Sequence, residues 1–142
     1  KVENLNCFGA LMAETAASAF ADRFDAVTWT PVSRKRLKKR GFDQSRMLCA
    51  GLCVDWHTQP LETLRKTRDN PPQSGLEDAA ERRANVLGAY EPVDPAAFRG
   101  KRLLLIDDIL TTGATLTECV RVLKAAGAAD VVCLTLAMVR EK

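Results

Sequence analysis

Four consecutive apolar residues, Leu103 to Ile106, are the feature that most limits the folds open to this chain. A strand with one face in water alternates apolar and polar residues, so an unbroken apolar run needs cover on both faces. A second, mainly apolar run spans residues 130–139, and the segment between the two runs has apolar residues at helical spacing and stops at Gly127. Buried strands that alternate with helices predict an α/β fold with a mostly parallel sheet flanked by helices.

The first two thirds of the chain carry weaker signals of the same kind. Asp43 is expected to cap the N-terminus of one helix. The polar stretch 68–86, with a proline pair and then a short helical pattern, predicts an exposed loop. The predicted elements are a helix over 8–24, a strand over 25–32, a helix over 44–56 and short strands over 61–67 and 88–93.

Length and composition favour one domain over residues 1–142. No apolar run is long enough for a membrane span and no signal peptide is evident, so we expect a cytoplasmic protein. Five cysteines without a CxxC pair predict reduced core thiols rather than zinc ligands. His57 is the single histidine, which makes Ser-His-Asp or Cys-His catalysis hard to build.

The stretch after the apolar run combines acids with a threonine-rich loop. Asp107 and Asp108 follow Ile106 at the carboxyl end of the predicted strand, where ligands bind in open parallel sheets. The start of the next helix offers backbone N–H groups to an anion. The predicted anion-binding residues are Thr111, Thr112, Gly113, Ala114 and Thr115.

A ribose 5-phosphate unit fits both halves of this stretch, because its phosphate suits the threonine loop and its hydroxyls suit the two carboxylates. Side chains of neighbouring strand residues point to opposite faces, so we expect one acid to touch the sugar directly and the other to act through water or metal. The chain contains neither GxxxxGK[ST] nor a GxGxxG after a strand. A phospho-acceptor receiver domain would have its acidic pair on the first strand. A turn without a ligand is the remaining alternative.

A cluster of six cations over residues 34–40 indicates a second anion contact, although the net charge of the whole chain is only +3. The alternative is a solvated charged face.

The letters LLLIDDILTTGAT resemble the phosphoribosyl pyrophosphate (PRPP) motif of the type I phosphoribosyltransferases. The stretches RGFDQSRMLC, LRKTRDNPPQSGL and ERRANVLGAY further resemble the ComF/GntX family, which is linked to competence for DNA uptake. The resemblance runs from about residue 27 to residue 139. It implies a type I phosphoribosyltransferase fold and transfer of phosphoribosyl from PRPP to an unidentified acceptor, with release of pyrophosphate and with Mg²⁺ bound through the ligand.

The resemblance also implies roles for single residues. Asp107, Asp108 and Arg68 are the expected catalytic residues, and the two acids are also the expected contacts of Mg²⁺. The 5-phosphate is expected on the loop from Thr111 to Thr115. Pyrophosphate contacts are expected from Ser33, Arg34, Lys35 and Arg40. Arg65 and Gln73 are expected to reach the substrate from a lid over residues 65–76, and Arg82 and Asn85 to hold its base.

Two further functions stay open at this point. The fold can bind PRPP without turnover, and the family resemblance suggests a DNA-uptake accessory that works with a helicase partner on single-stranded DNA. The family usually carries an N-terminal zinc-binding region with paired cysteines, which this chain lacks, so no zinc is expected here. The fold commonly dimerises, which makes a homodimer an expectation.

Overall fold

The computed structural model describes residues 24–32, 37–39, 41, 43–67, 80, 87–110 and 113–138. The predicted helix over 8–24 and the helical pattern before residue 87 lie almost wholly outside these ranges. Within them, no helix is both long enough and apolar enough to cross a membrane.

A parallel sheet forms the centre of the described structure. Its strands are β1 (Ala26–Trp29), β4 (Arg102–Leu110) and β5 (Asp130–Met138), in the order β1-β4-β5. Strand β4 pairs with β1 from Ala26 opposite Leu103 to Trp29 opposite Ile106. It pairs with β5 over its whole length. The acidic strand therefore occupies the middle of the sheet.

Two helices cover the two faces of this sheet: α1 (Gln44–Asp55) and α2 (Ala114–Ala125). Leu104 and Ile106 pack with the buried residues of α1, whereas Leu103 and Leu105 pack with those of α2. All four leucine and isoleucine side chains are fully buried. The unbroken apolar run thus fills two cores at once, as predicted.

Strand β4 is longer than the predicted strand, which ended at Ile106. Asp107 and Asp108 lie inside the strand, because β5 continues the backbone ladder from Asp107 opposite Thr135 to Leu110 opposite Met138. The acids are therefore held by backbone pairing on the β5 side. On the β1 side the ladder ends at Ile106, where the amide of Thr30 donates to the Ile106 carbonyl at 3.0 Å.

The remaining short strands, β2 (Leu64–Lys66) and β3 (Tyr90–Pro92), pair with each other in antiparallel fashion. The residues before β2 run beside β1, since the Leu61 amide donates to the Val27 carbonyl at 2.9 Å. The hydroxyls of Thr28 and Thr63 also lie 2.6 Å apart. Residues 67–89, which contain most of the predicted lid, therefore leave from and return to this strand pair.

Local sequence explains where the two helices begin and end. Asp43 caps α1, because its Oδ1 accepts from the Arg46 amide at 3.2 Å, as predicted. Helix α2 begins after Gly113 and ends before Gly127, whose φ of +115° suits glycine. Cys49, Cys53 and Cys119 are buried free thiols, as the sequence predicted.

Candidate functional site

Asp107 is a buried carboxylate with three hydrogen-bond donors on one oxygen. Its Oδ1 accepts from the Thr30 hydroxyl at 2.7 Å, from the Ser45 hydroxyl at 3.2 Å and from the Asp108 amide at 2.9 Å. The side chain is 8% exposed, and Thr30 and Ser45 are buried as well. Thr30 follows β1 and Ser45 lies in the first turn of α1, so three elements meet at this atom.

The surroundings of Asp107 favour its protonated form. Burial raises its pKa to about 7, the nearby charge of Asp108 acts in the same direction, and the hydrogen bond from Thr30 opposes the rise. Burial likewise raises the pKa of Asp43, and Asp108 contributes to that rise as well. Three carboxyl groups therefore lie close enough at this edge of the sheet to influence one another.

Asp108 and the start of α2 form the second part of the site. Asp108 is half-buried, one position further along β4. Gly113 precedes α2 with a φ of +79°, a conformation that side chains rarely adopt. Glycine has no side chain to cap the first-turn amides, and Thr115 in that turn is only partly buried. This helix start has the composition of an anion site.

The structure brings together part of the predicted site. Asp107, Asp108, Gly113, Ala114 and Thr115 lie between the carboxyl end of β4 and the first turn of α2. The other predicted contacts lie outside the described residues: Ser33, Arg34, Lys35, Arg40, Arg68, Gln73, Arg82, Asn85, Thr111 and Thr112.

Arg65 lies in strand β2 rather than in the loop beyond it. It faces Glu91 directly across the β2–β3 pair, and the two side chains form an ion pair on the surface. Arg65 also lines a cleft of about 650 Å³, a volume in the range of small-molecule sites. The end of β1 and the start of α1 form the opposite wall, through Trp29 and Asp43. Arg46 lies over the Trp29 ring in the same cleft, 5.4 Å from its centre.

Sequence reasoning missed Thr30, Ser45 and Glu118. The two hydroxyl residues are 77 and 62 positions away from Asp107, and nothing in the local pattern distinguishes them from surface residues. Glu118 lies on α2, 5% exposed, and accepts from the Gly88 amide at 2.9 Å. This hydrogen bond therefore connects α2 to the residues that lead into β3. At about 100° per residue, Glu118 lies on the side of the predicted helix opposite Leu116 and Leu123, so the sequence offered no signal for it.

The donors at the edge of the sheet suit a hard cation such as Mg²⁺, because they are carboxylate oxygens. Mg²⁺ is commonly held by one or two carboxylates together with substrate phosphates. Among the described residues, no three histidine, cysteine or acidic side chains stand close enough to hold a metal by themselves. The residues present thus fit a cation that arrives with a phosphorylated ligand.

Comparison of the sequence with known proteins identifies a family and several relatives of this chain. Residues 37–142 match the family described as phosphoribosyl transferase domain. The DNA utilization protein YhgH of Escherichia coli O157:H7 is 34% identical over 108 residues, which cover 75% of this chain and 46% of that protein. Competence protein ComFC of Streptococcus pneumoniae is 33% identical over 103 residues, which cover 71% of this chain and 42% of that protein. The chain spans less than half the length of these relatives.

Among solved structures, glutamine phosphoribosylpyrophosphate amidotransferase from B. subtilis matches 93% of this chain and 26% of its own, with a TM-score of 0.63 and 23% identity. At 23% identity this similarity shows a shared fold and no more. It confirms the predicted type I phosphoribosyltransferase fold, with a parallel sheet between helices.

Proposed function

This chain belongs to the phosphoribosyl transferase domain family, and on that premise we propose that it binds PRPP at the carboxyl end of β4 and transfers the phosphoribosyl group to an acceptor. The observation that carries the proposal is the succession of two carboxylates in β4, a glycine in the left-handed region and the first turn of α2. Groups that accept hydrogen bonds from hydroxyls and groups that bind an anion then lie within a few residues of each other.

Each part of PRPP has a matching group in this chain. The 5-phosphate binds at the first turn of α2, with Thr111, Thr112 and Thr115 as hydroxyl donors. The acidic pair accepts hydrogen bonds from the ribose hydroxyls. The pyrophosphate group binds the cation-rich segment between Thr30 and Ser45, through Ser33, Arg34, Lys35 and Arg40. In this proposal the C1 atom of ribose lies between the acids and the cations.

In the proposed reaction, the bond from C1 to the pyrophosphate oxygen breaks and a bond from C1 to an acceptor atom forms. The cations of the 33–40 segment stabilise the negative charge that grows on the leaving pyrophosphate. When bound with PRPP, Mg²⁺ neutralises phosphate charge, and Asp107 and Asp108 supply carboxylate oxygens for it. Arg68 and Gln73, from the segment between β2 and β3, help to exclude water from the reacting carbon.

The cleft between β1, α1 and β2 offers room for the acceptor. Its wall contains the Trp29 ring, and its rim carries Arg46, Arg65 and Lys66 beside two acids, Asp43 and Glu62. Such a mixture of an aromatic wall with polar groups of both charges suits a planar, polar molecule such as a nitrogen base. We place the acceptor there, in a cytoplasmic protein that encounters free PRPP.

A second function, binding of PRPP without turnover in DNA handling, is favoured by the names of the relatives. YhgH is called a DNA utilization protein and ComFC a competence protein. In this case the basic segment 34–40 contacts single-stranded DNA or a helicase partner, and binding weakens steeply with salt. The two functions share the PRPP site and differ in whether pyrophosphate is released.

Isothermal titration calorimetry with PRPP and Mg²⁺ tests the site. Replacement of both acids, Asp107→Asn with Asp108→Asn, should weaken PRPP by about a hundredfold, since charged hydrogen bonds contribute about 1.5–3 kcal/mol each. Asp94→Asn serves as a control, because it removes one carboxylate from an exposed residue outside the candidate site. Unchanged PRPP affinity in the double variant would refute the sugar assignment.

Release of pyrophosphate across a panel of nitrogen bases then separates the two functions. An enzyme should release pyrophosphate with at least one base and lose this activity in the double variant. Binding of PRPP with no release for any base would favour the function without turnover. In that case, binding of a labelled single-stranded oligonucleotide at several salt concentrations is the next measurement.

A further inference from the structure

The cleft between α1 and the β2–β3 pair lies beside the acidic pair of β4. Asp43 lines the cleft, and the nearby charge of Asp108 contributes to the raised pKa of Asp43. Apolar residues form most of the described lining. The charged residues of that lining are Asp43, Arg46, Glu62, Arg65 and Lys66. A ligand in this cleft is therefore close to the proposed PRPP site and meets charges of both signs.

Three of these charged groups already have a partner in the protein. The Asp43 carboxylate caps α1, where it accepts from a backbone amide of the first turn at 3.2 Å. Arg65 forms an ion pair with Glu91 across the strand pair. Lys66 Nζ lies 5.7 Å from the centre of the Tyr90 ring. These groups therefore have less capacity for a new charged contact than an unpaired group would have.

Arg46 differs from these groups in its surroundings. Among the residues that the structure describes, no carboxylate forms an ion pair with its guanidinium group. The side chain is exposed, and its guanidinium carbon lies 5.4 Å from the centre of the Trp29 ring. Glu62, the remaining acid of the cleft, is exposed as well, so solvent ions screen its charge. A cation without an ion-pair partner thus lies on the wall of a mainly apolar cleft.

The position of Arg46 in its helix favours a role in binding over a role in helix stability. Arg46 lies in the first turn of α1, two residues after Gln44. The positive end of the helix dipole lies there, so a cation is unfavourable, and the first turn contains no acidic residue to compensate it. The contact with the Trp29 ring holds the guanidinium group at the cleft. The group is therefore oriented for an anion that enters the cleft.

We propose that the cleft takes an aromatic acceptor that carries a carboxylate, and that Arg46 binds this carboxylate. The inference rests on the proposed transfer reaction and names the class of its acceptor, a heteroaromatic acid with a ring nitrogen. Met47 from α1 and Val93 after β3 contact the ring, and the guanidinium group pairs with both carboxylate oxygens. The ring nitrogen supplies the electron pair for the new bond to C1, and pyrophosphate leaves with the pair of the broken bond.

Pairs of ligands that differ at the carboxylate test this class. Nicotinate and nicotinamide share a pyridine ring, orotate and uracil share a pyrimidine ring, and only the first of each pair is an anion at neutral pH. Calorimetry measures each affinity with and without ribose 5-phosphate and Mg²⁺, which fill the sugar site without allowing transfer. Quenching of Trp29 fluorescence in a Trp56→Phe background locates the ligand, since these are the two tryptophans and Trp56 stacks on Phe24 instead.

At least one of the two acids should bind tightly enough to exceed its uncharged counterpart by about tenfold. Arg46→Met should weaken that acid by about thirtyfold, which corresponds to about 2 kcal/mol of charged hydrogen bonds, and leave the counterpart within about twofold. Arg46→Lys keeps the charge but not the paired geometry, so its loss should be intermediate. Arg99→Met is the matched control, because it removes the same charge from an exposed residue outside the cleft and should change neither affinity.

Arg46→Met should fold, because methionine is a good helix former and keeps an apolar stem beside the Trp29 ring. Four results would overturn the proposal: acids that bind no more tightly than their counterparts, equal weakening of both by Arg46→Met, a bound acid that leaves Trp29 fluorescence unchanged, or a larger effect of Arg46→Met on pyrophosphate than on the acid. The last would assign Arg46 to the leaving group.

Failure of the PRPP site is a separate outcome. A protein that does not bind PRPP, but binds an acid through Arg46 without ribose 5-phosphate, would refute the proposed transfer and keep the cleft as a carboxylate site. A protein that binds PRPP but neither acid would refute the acceptor class and leave the PRPP site intact.

Discussion

Replacement of Asp107 by Asn should change how the free energy of unfolding depends on pH. In the native state the pKa of this buried carboxyl is raised from 3.8 to about 7. The native state therefore binds more protons than the unfolded state between these two values. The stability associated with this proton is fully present below pH 3.8 and is lost as the pH rises through 7. Asn cannot ionise, so the free energy of unfolding of the Asp107→Asn variant does not fall in this way as the pH rises.

The size of the effect follows from the two pKa values. Each tenfold change in a protonation constant equals about 1.4 kcal/mol. The shift from 3.8 to about 7 thus corresponds to about 4 kcal/mol in total. About 3 kcal/mol of it falls between pH 5 and pH 8. Relative to wild type, Asp107→Asn should gain stability by that amount over this interval.

Urea unfolding followed by circular dichroism, at several pH values from 5 to 8 and with a chelator present, measures the difference. Other titrating groups are common to both proteins and cancel. Asp25→Asn is a control of opposite sign, because hydrogen bonds from Arg102 lower the pKa of Asp25 to about 2. The stability from Asp25 is present above pH 3.8 and is lost as the pH falls toward 2, so its difference from wild type should stay flat between pH 5 and 8.

A flat difference for Asp107→Asn over the same interval would refute this reasoning. It would mean that the pKa of Asp107 is not raised in the folded protein, either because the cluster with Thr30 and Ser45 opens in solution or because hydrogen bonds to the charged form outweigh burial.

Two further predictions concern the ends of the ligand. Gly113→Ala places a side chain at a φ of +79°, so it should lower the free energy of unfolding by about 1 kcal/mol and weaken ribose 5-phosphate; unchanged values in urea unfolding and calorimetry would contradict this. Arg34→Ala with Lys35→Ala should weaken PRPP by about tenfold more than ribose 5-phosphate, since charged hydrogen bonds to pyrophosphate are lost. Equal losses in calorimetry would remove both residues from the pyrophosphate contact.

The sheet and its two covering helices could be predicted from the sequence because their signals are local. Continuous apolar runs, the helical spacing before Gly127 and the Asp43 cap each depend on neighbouring residues. The end of β4 could not be predicted in this way. Polar residues at 107 and 108 suggest the end of a strand, but pairing with β5 extends the strand to Leu110. Long-range pairing overrode local polarity.

The chemistry of the candidate site was predictable, but the contacts that bury Asp107 were not. Two acids and a threonine-rich turn after a buried strand indicate a sugar phosphate on residue type alone. The burial of Asp107 depends on hydroxyls that are 77 and 62 residues away. Only the crossover from β1 through α1 brings them to β4. Asp107 and Asp108, which are identical and adjacent in the sequence, therefore lie in different environments in the fold.

The order of the strands in the sheet gives a physical reason for the hydrogen bond between Thr30 and Asp107. On the β5 side, backbone pairing continues past the acids to Leu110, so this edge needs no other support. On the β1 side the backbone ladder stops at Ile106, because the chain after Thr30 leaves the sheet toward the cation-rich segment. The hydroxyl of Thr30 then continues the connection between the two strands through Asp107. A side-chain hydrogen bond thus continues the connection between β1 and β4 beyond the last backbone pair.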